Sequence, residues 1–246
     1  MNPAMNPISK RFSSLAWRQL AVLLFLLSTA AAPLLAAGQK YLPAGQPDAV
    51  TLLAPPPLPG SAEQAADMAS TLTVYKARTP DQEAIARSER KFTVFAFAPA
   101  VGPFFQPDRL PKAKAFFKQV REETDAVTDT AKNYWKRPRP YMLDPSLAAA
   151  GGEMEKSFSY PSGHSTRATV LALLLADLFP NRQSDILAFG RNLGWRRVEI
   201  ARHYPTDIYA GRVLAQAIVR ELKASPAFQQ DFEEVKAEVA GVQSSH

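Results

Sequence analysis

The run Val-Leu-Ala-Leu-Leu-Leu at residues 170–175 constrains the fold more than any other feature, because it is apolar on every side. A helix that is apolar all round has to be enclosed by other helices, so this one is expected at the centre of a bundle. Ser61 is predicted to cap an early helix. Further helices are predicted near Pro80–Ala98, Pro111–Trp135, Ser162–Phe179, Ser184–Arg202, Thr206–Lys223 and Pro226–Val239. No segment shows sustained period-two alternation, so the expected fold is all-α, a single helical-bundle domain.

The first forty residues differ in composition from the rest of the chain. A basic start that includes Lys10 and Arg11 leads into an apolar run, Leu20–Leu27, and then into alanine-rich sequence. This order is typical of a secretory signal peptide, and residues 1–37 are interpreted as one, which predicts a periplasmic or secreted protein. The alternative is an uncleaved membrane anchor, since the apolar and small residues nearly reach the roughly 20 that span a bilayer.

Residues 38–60 contain six prolines. Proline fixes φ and lacks an amide hydrogen, so this stretch is expected to be extended and non-helical, either wrapped over the domain or linking it to the N-terminal segment. Residues 61–246 are then predicted to form the helical domain. With 246 residues, 46% of them hydrophobic, the chain is long enough to bury one core.

Composition excludes several functional classes. The absence of cysteine rules out disulfides, cysteine nucleophiles and cysteine metal sites. Removing residues 1–37 takes away three basic and no acidic residues, so the formal net charge falls from +6 to +3. No run of lysine and arginine with interleaved aromatic residues occurs, so nucleic acid is not expected as a partner. No stable membrane partner is expected after signal cleavage, and whether the chain forms a homo-oligomer stays open.

Two of the three histidines lie in compact polar groups, whereas His246 is the last residue. Ser162, Gly163 and His164 stand directly before the central apolar helix. The N-terminus of a helix presents free N–H groups and the positive end of its dipole, which attract anions. The alternative is structural: Ser162 only caps the helix and His164 pairs with a nearby carbonyl.

His203 and Asp207 are four residues apart, with Pro205 between them. A helix that begins near Pro205 would bring the carboxylate back towards one imidazole nitrogen. A carboxylate in that position fixes the tautomer and leaves the other nitrogen basic and nucleophilic.

Arg197 lies six residues before His203, on the predicted helix from Ser184. Helical spacing places it on one face with Ile186, Gly190, Leu193 and Ala201. A charge on that apolar face needs an anion as partner. The alternative is a salt bridge with a local acid, either Glu199 or Asp207.

Lys132 and Arg139 add two cations that suit phosphate. Arginine presents a rigid fork that matches phosphate oxygens, and lysine supplies a point charge. The prolines on either side of Arg139 end the preceding helix and stiffen the loop. Lys136 and Arg137 are interpreted as the solvated members of this basic run.

Three motifs in this order carry a resemblance to a known family: Lys132-x6-Arg139-Pro140, Pro161-Ser162-Gly163-His164 and Arg197-x5-His203-x3-Asp207. They resemble the three-part signature of the PAP2 superfamily, which joins type 2 phosphatidic acid phosphatases, bacterial acid phosphatases and vanadium haloperoxidases. Segments outside the motifs are similar to the secreted bacterial class A nonspecific acid phosphatases; they are 52–57, 181–187 and 226–230.

The resemblance implies a fold of the PAP2 and vanadium haloperoxidase type and an acid phosphatase that hydrolyses small phosphate monoesters without a metal or other cofactor. At the matching positions, His203 would be the nucleophile that forms a phosphohistidine, Asp207 would orient it, and His164 would protonate the leaving alcohol. The residues implied to bind the phosphate oxygens are Lys132, Arg139, Ser162, Gly163 and Arg197.

One position departs from the family pattern, because the third motif usually has serine where this chain has Arg196. Arg196 either points out of the site or adds positive charge near it. Other functions stay open on the same motifs: a lipid-phosphate phosphatase, a haloperoxidase, or a non-catalytic periplasmic phosphate-binding protein. The lipid enzymes of this superfamily usually carry several membrane spans, and binding alone needs no paired histidines.

Overall fold

The computed structural model of this chain describes residues 39–148, 150 and 154–244. The predicted signal peptide, residues 1–37, and His246 lie outside this range. Ten α-helices and no strand occur in the described part, so the prediction of an all-α fold is confirmed. The helices are α1 (Ala49–Leu52), α2 (Ala62–Ala77), α3 (Pro80–Ser88), α4 (Ala98–Val101), α5 (Pro111–Trp135), α6 (Pro140–Leu143), α7 (Gly163–Leu178), α8 (Gln183–Glu199), α9 (Pro205–Ala224) and α10 (Pro226–Gln243).

Helix α7 lies at the centre of the bundle, as its apolar sequence predicts. All of residues 170–175 except Leu173 are buried, and α7 packs mainly against α8, α9 and α5. Small residues allow the close packing: a Cβ at Gly190 of α8 would lie 2.7 Å from the Cβ of Ala172. A Cβ at Gly211 of α9 would lie 2.8 Å from the carbonyl oxygen of Ser162. These contacts hold the N-terminus of α7 against the first turns of α9.

The prediction of a helix over Pro80–Ala98 is wrong for its C-terminal half, because α3 ends at Ser88. Beyond it the carbonyl oxygen of Arg90 accepts a hydrogen bond from His164 Nε2 at 3.0 Å, and Phe92 is buried in the core. A continuous helix could not place both groups there. The chain instead resumes as a 3₁₀ turn, Val94–Phe97, followed by α4.

The helix predicted to reach Arg202 ends earlier, at Glu199. Ala201 adopts a left-handed backbone conformation with φ of +50°, which cannot continue a right-handed helix. The amides of Arg202 and His203 both donate to the carbonyl oxygen of Arg197, at 2.8 and 3.2 Å. This turn directs His203 towards the N-terminus of α7.

The proline-rich stretch wraps over the helical domain. Tyr41 and Leu42 are buried in the main core, and their amides donate to the carboxylate of Glu123. The expectation that this stretch is entirely non-helical is wrong at α1, where the Asp48 side chain accepts hydrogen bonds from two amides of the helical turn. The predicted cap at Ser61 is confirmed, since its hydroxyl accepts from the Gln64 amide at 3.1 Å. No helix in residues 39–148 or 154–244 is long and apolar enough to cross a bilayer.

Candidate active site

The three sequence motifs meet at one cavity of about 340 Å³. Five of the predicted site residues line it: Lys132, Arg139, Gly163, His164 and His203. The other three do not line it and are at most 2% exposed: Ser162, Arg197 and Asp207. The remaining lining residues are mostly charged; they are Arg90, Lys91, Arg121, Asp125, Thr128, Asp129, Glu155, Ser157 and Arg167. The structure therefore brings all eight predicted residues to one place.

His203 stands directly before α9, and Asp207 lies in the first turn of that helix, as the spacing predicts. Nδ1 of His203 lies 3.2 Å from Oδ2 of Asp207, and Nε2 lies 3.2 Å from Nη1 of Arg139. A carboxylate only accepts hydrogen bonds and a guanidinium only donates them. Both contacts therefore assign the proton to Nδ1, and the unprotonated Nε2 accepts the hydrogen bond from Arg139.

The pKa of His203 lies well below its ordinary value. Burial is the main cause, and repulsion from Arg139 and Lys132 adds to it. Burial therefore favours the neutral ring. A neutral imidazole keeps the lone pair that nucleophilic attack requires.

Arg137 was predicted to be solvated, and this prediction is wrong. Its side chain is 3% exposed and forms ion pairs with Asp67 at 2.7 Å and with Asp207 at 2.6 Å. It uses Oδ1 of Asp207, while Oδ2 accepts from the Tyr204 amide at 2.9 Å and from the hydroxyl of Ser159 at 2.5 Å. Asp207 is thus held from both sides in the orientation that faces His203. Lys136, the other residue predicted to be solvated, is exposed.

Lys132 and Arg139 reach the cavity from α5 and from the loop that follows it. Lys132 Nζ donates to the carbonyl oxygens of Phe158 at 2.6 Å and Ser159 at 3.3 Å. Burial, with repulsion from Arg139, lowers the pKa of Lys132 to about 7. The protein therefore stabilises the charged form of Lys132 only weakly, and a bound anion would stabilise it further.

Arg197 lies on the buried face of α8, where Ile186, Gly190 and Leu193 are also buried, as predicted. It forms neither of the salt bridges considered from the sequence. Its Nη2 instead donates to Glu155 Oε1 at 2.6 Å. Nε and Nη1 are buried and have no hydrogen-bond partner in the described part of the structure. Burial lowers the pKa of Arg197 to about 10. Buried donors without partners are costly, so these two nitrogens favour an anionic ligand.

His164 lies in the first turn of α7. Nε2 donates to the carbonyl oxygen of Arg90 at 3.0 Å, and the hydroxyl of Ser162 accepts from the Ser165 amide at 3.3 Å. Both contacts of the structural alternative are thus present, yet His164 also lines the cavity. Burial, followed by repulsion from Arg197 and Arg167, holds the pKa of His164 well below its ordinary value.

Arg196 points to Glu89, with which it forms an ion pair. It is absent from the residues that line the cavity. Of the two interpretations of this departure from the family pattern, the geometry favours the one in which the side chain points out of the site.

Sequence reasoning missed several polar residues that hold the site together, namely Asp67, Arg137, Glu155 and Ser159. Ser159 lies three residues before Ser162, and its position beside the second motif could have singled it out. Glu155 and Asp67 carry no local signal: Glu155 is 42 residues from Arg197, and Asp67 is 70 residues from Arg137.

Comparisons with known proteins agree with the three motifs. Residues 124–230 match the model of the PAP2 superfamily. An acid phosphatase of Zymomonas mobilis is 29% identical over 206 residues, which are 80% of this chain and 78% of that protein. A non-specific acid phosphatase of Salmonella typhimurium is 32% identical over 147 residues, 58% of this chain and 59% of that protein.

A shorter similarity links the chain to a lipid enzyme. A lipid A 1-phosphatase of Rhizobium etli is 42% identical over 53 residues, which are 22% of this chain and 23% of that protein. All eight predicted site residues lie between positions 132 and 207, inside the region that the superfamily model matches. Residues 124–230 of this chain are therefore a PAP2 superfamily domain, and the family predicted from the three motifs is confirmed.

Proposed function

We propose that this chain is an acid phosphatase that hydrolyses small phosphate monoesters through a phosphohistidine intermediate, without a metal ion. The observation that carries the proposal is the tautomer of His203, whose unprotonated Nε2 accepts from Arg139 beside the cavity that Lys132 also lines. The acid phosphatases among its relatives support the class of reaction. A cavity of about 340 Å³ suits a phosphate group and a small alcohol.

Positive charge for the phosphate oxygens comes from side chains and backbone. Lys132, Arg139 and Arg197 supply the cations, and the start of α7 at Gly163 supplies backbone N–H at a helix N-terminus, whereas the Ser162 amide donates to the Asp207 carbonyl oxygen at 3.0 Å. Phosphoryl transfer depends mainly on positioning and on neutralising the charge of the non-bridging oxygens. Three cations with backbone donors can supply both.

In the first step the lone pair of His203 Nε2 attacks phosphorus as the ester P–O bond breaks. Asp207 accepts the Nδ1 hydrogen and stabilises the positive charge that develops on the ring. His164 gives a proton to the leaving oxygen, so the products of this step are an alcohol and the phosphohistidine. Nε2 of His164 is occupied by the Arg90 carbonyl, which leaves Nδ1 as the nitrogen for the leaving group.

In the second step a water molecule attacks phosphorus and the P–N bond breaks. His164, now deprotonated, accepts the proton of that water, and His203 recovers its lone pair. The repulsion that lowers the pKa of His164 comes partly from Arg197 and Arg167. A bound phosphate dianion counters these charges, which favours the protonated His164 that the first step needs.

The location and partners follow from the sequence. The N-terminal segment supports a periplasmic or secreted enzyme, with small phosphate monoesters as its partners. The similarity to a lipid A 1-phosphatase covers 53 residues, whereas that to an acid phosphatase covers 206. The longer similarity favours small phosphate monoesters over lipids as substrates.

Hydrolysis of p-nitrophenyl phosphate tests the proposal, with and without a chelator, in the wild type and in His203→Ala. We expect activity that survives chelation and is lost in His203→Ala, whereas His246→Ala keeps it. Loss of activity on chelation would contradict the metal-free mechanism. An active His203→Ala would remove His203 as the nucleophile, and phosphate binding without turnover in the wild type would favour the non-catalytic alternative.

A further inference from the structure

Every N–H group of the Arg139 guanidinium already has a protein partner. Arginine carries five N–H groups, and six protein acceptors lie around those of Arg139, five of them in hydrogen bonds and the sixth, Glu155, in an ion pair. They are the Ser157 carbonyl oxygen and hydroxyl, the carbonyl oxygens of Phe158 and Arg202, His203 Nε2, and Glu155 Oε2. A phosphate can therefore bind Arg139 only if one of these acceptors gives way.

Glu155 is the acceptor best placed to move. It is the only carboxylate among the six, and its side chain is 18% exposed, whereas Arg139 and Arg197 are 1% and 2% exposed. It lies outside the helices, in the segment before α7, and its carbonyl oxygen accepts a hydrogen bond from the Tyr141 hydroxyl at 3.1 Å. The backbone is thus anchored while the side chain has an edge facing solvent.

The carboxylate of Glu155 bridges the two arginines. Oε2 lies 2.6 Å from Arg139 Nη2, and Oε1 lies 2.6 Å from Arg197 Nη2. The side chain also lines the same cavity as His203 and Lys132. Two oxygens spaced across two guanidinium groups reproduce the contacts of two oxygens of a phosphate.

We propose that Glu155 is an internal competitor for the phosphate: it neutralises Arg139 and Arg197 in the unoccupied site, leaves them when phosphate binds, and so sets the affinity of the site for phosphate. The inference rests on the proposed function, because it requires that these arginines bind phosphate. It adds a residue that lies outside the three sequence motifs.

Electrostatics determines how Glu155 leaves. Burial acts to raise its pKa, but the surrounding cations, Arg139 first among them, outweigh this and lower the pKa to about 2. Glu155 is therefore ionised at any pH at which an acid phosphatase works, and it leaves as a carboxylate that rotates towards solvent. Its departure frees the N–H group of Arg197 Nη2 that it held and removes the counter-charge of Arg139, and Arg197 Nε and Nη1 are already without hydrogen-bond partners in the described part of the structure.

Glu155→Gln tests the competition, because it removes the charge and keeps the shape. The control is Glu89→Gln, which removes a carboxylate of the same 18% exposure from an arginine ion pair away from the cavity. Binding of inorganic phosphate is measured by titration calorimetry, together with its Ki against p-nitrophenyl phosphate. Charge-assisted hydrogen bonds are strong enough that we expect phosphate to bind about 10- to 100-fold more tightly to Glu155→Gln. Glu89→Gln should bind phosphate like the wild type.

Thermal unfolding provides a second readout. Without phosphate, Glu155→Gln should unfold at a lower temperature than the wild type, because two buried guanidinium groups lose their counter-ion. Added phosphate should raise the Tm of Glu155→Gln more than that of the wild type. The first shift reports the lost counter-ion, and the larger rise of Tm with phosphate is expected only if phosphate replaces the carboxylate.

The outcomes separate this inference from the proposed function. Weaker or unchanged phosphate binding in Glu155→Gln, with an active wild type, would overturn the competition and make Glu155 a positioning residue for the arginines. A wild type and a variant that both fail to bind phosphate, with no hydrolysis, would overturn the proposed function itself.

Discussion

Replacing Asp207 with asparagine tests whether this carboxylate acts by setting the tautomer of His203. Oδ1 accepts from Arg137, and Oδ2 accepts from the Ser159 hydroxyl, the Tyr204 amide and His203 Nδ1. A side-chain amide has one acceptor, its oxygen, and one donor group, its NH₂. In Asp207→Asn the NH₂ group must therefore face groups that themselves donate hydrogen bonds. Because Arg137 carries a permanent charge, the amide oxygen should stay on its side and the NH₂ group should face His203. The ring would then carry its proton on Nε2 and lose its nucleophile.

The expected effect on catalysis is large. In a serine protease triad, the equivalent change of aspartate to asparagine lowers kcat by about 10⁴-fold through the wrong tautomer, which corresponds to about 5.5 kcal/mol in the barrier. We expect a loss of the same order here. The effect on stability is smaller: removing one partner of a buried ion pair costs about 3–5 kcal/mol, and Arg137 keeps its second partner, Asp67. The lower end, about 3 kcal/mol, is expected.

The assay is kcat for p-nitrophenyl phosphate, with thermal unfolding measured on the same preparations. Asp67→Asn is the matched control, because it also removes one buried carboxylate from Arg137 and leaves the contact between His203 and Asp207 intact. We expect similar losses of stability in the two variants and a large loss of kcat only in Asp207→Asn. Equal losses of kcat would refute the reasoning, because Asp207 would then act through the fold alone.

Two further predictions concern charge around the cavity. Lys132→Met should lower kcat/KM strongly at pH 5, by about 100-fold, and little at pH 9. The reason is that kcat/KM reports the free enzyme, in which the pKa of Lys132 is about 7, so the side chain is mostly neutral at pH 9. The ordinary pKa of lysine is 10.5, so between about pH 7 and 10.5 the unfolded chain binds more protons than the folded one. The contribution of Lys132 to stability should therefore rise with pH across that window. An equal loss of kcat/KM at pH 5 and pH 9 would contradict the lowered pKa of Lys132. Arg196→Ser should leave kcat/KM nearly unchanged, since Arg196 pairs with Glu89 away from the cavity, and a change of about tenfold or more would place its charge in the site.

Local sequence patterns predicted those parts of the site that depend on neighbours along one helix. The spacing of His203 and Asp207 around Pro205 was sufficient, because both residues lie at the start of α9. The apolar face of α8 likewise placed Arg197 correctly.

Predictions failed where a distant residue determined the local structure. The helix expected over Pro80–Ala98 ends early, beside a hydrogen bond from His164 to Arg90, which is 74 residues away in the sequence. Arg137 is buried because Asp67 and Asp207, each 70 residues away, supply its counter-charges. Neither aspartate can be identified from the residues around Arg137, so Arg137 was predicted to be solvated.

Local sequence patterns predicted the all-α fold that the described residues have and the buried position of residues 170–175, and the resemblance of the three motifs implied the eight residues of the candidate site. Helical periodicity, proline positions and three short motifs are local properties, so they can be read without knowing how the helices pack. The pairing of the buried charges, in contrast, depends on the tertiary fold: Arg137 pairs with two aspartates, and Arg139 and Arg197 pair with Glu155. A buried charge requires a counter-ion close in space, and the packing of helices distant in sequence determines which residue that is.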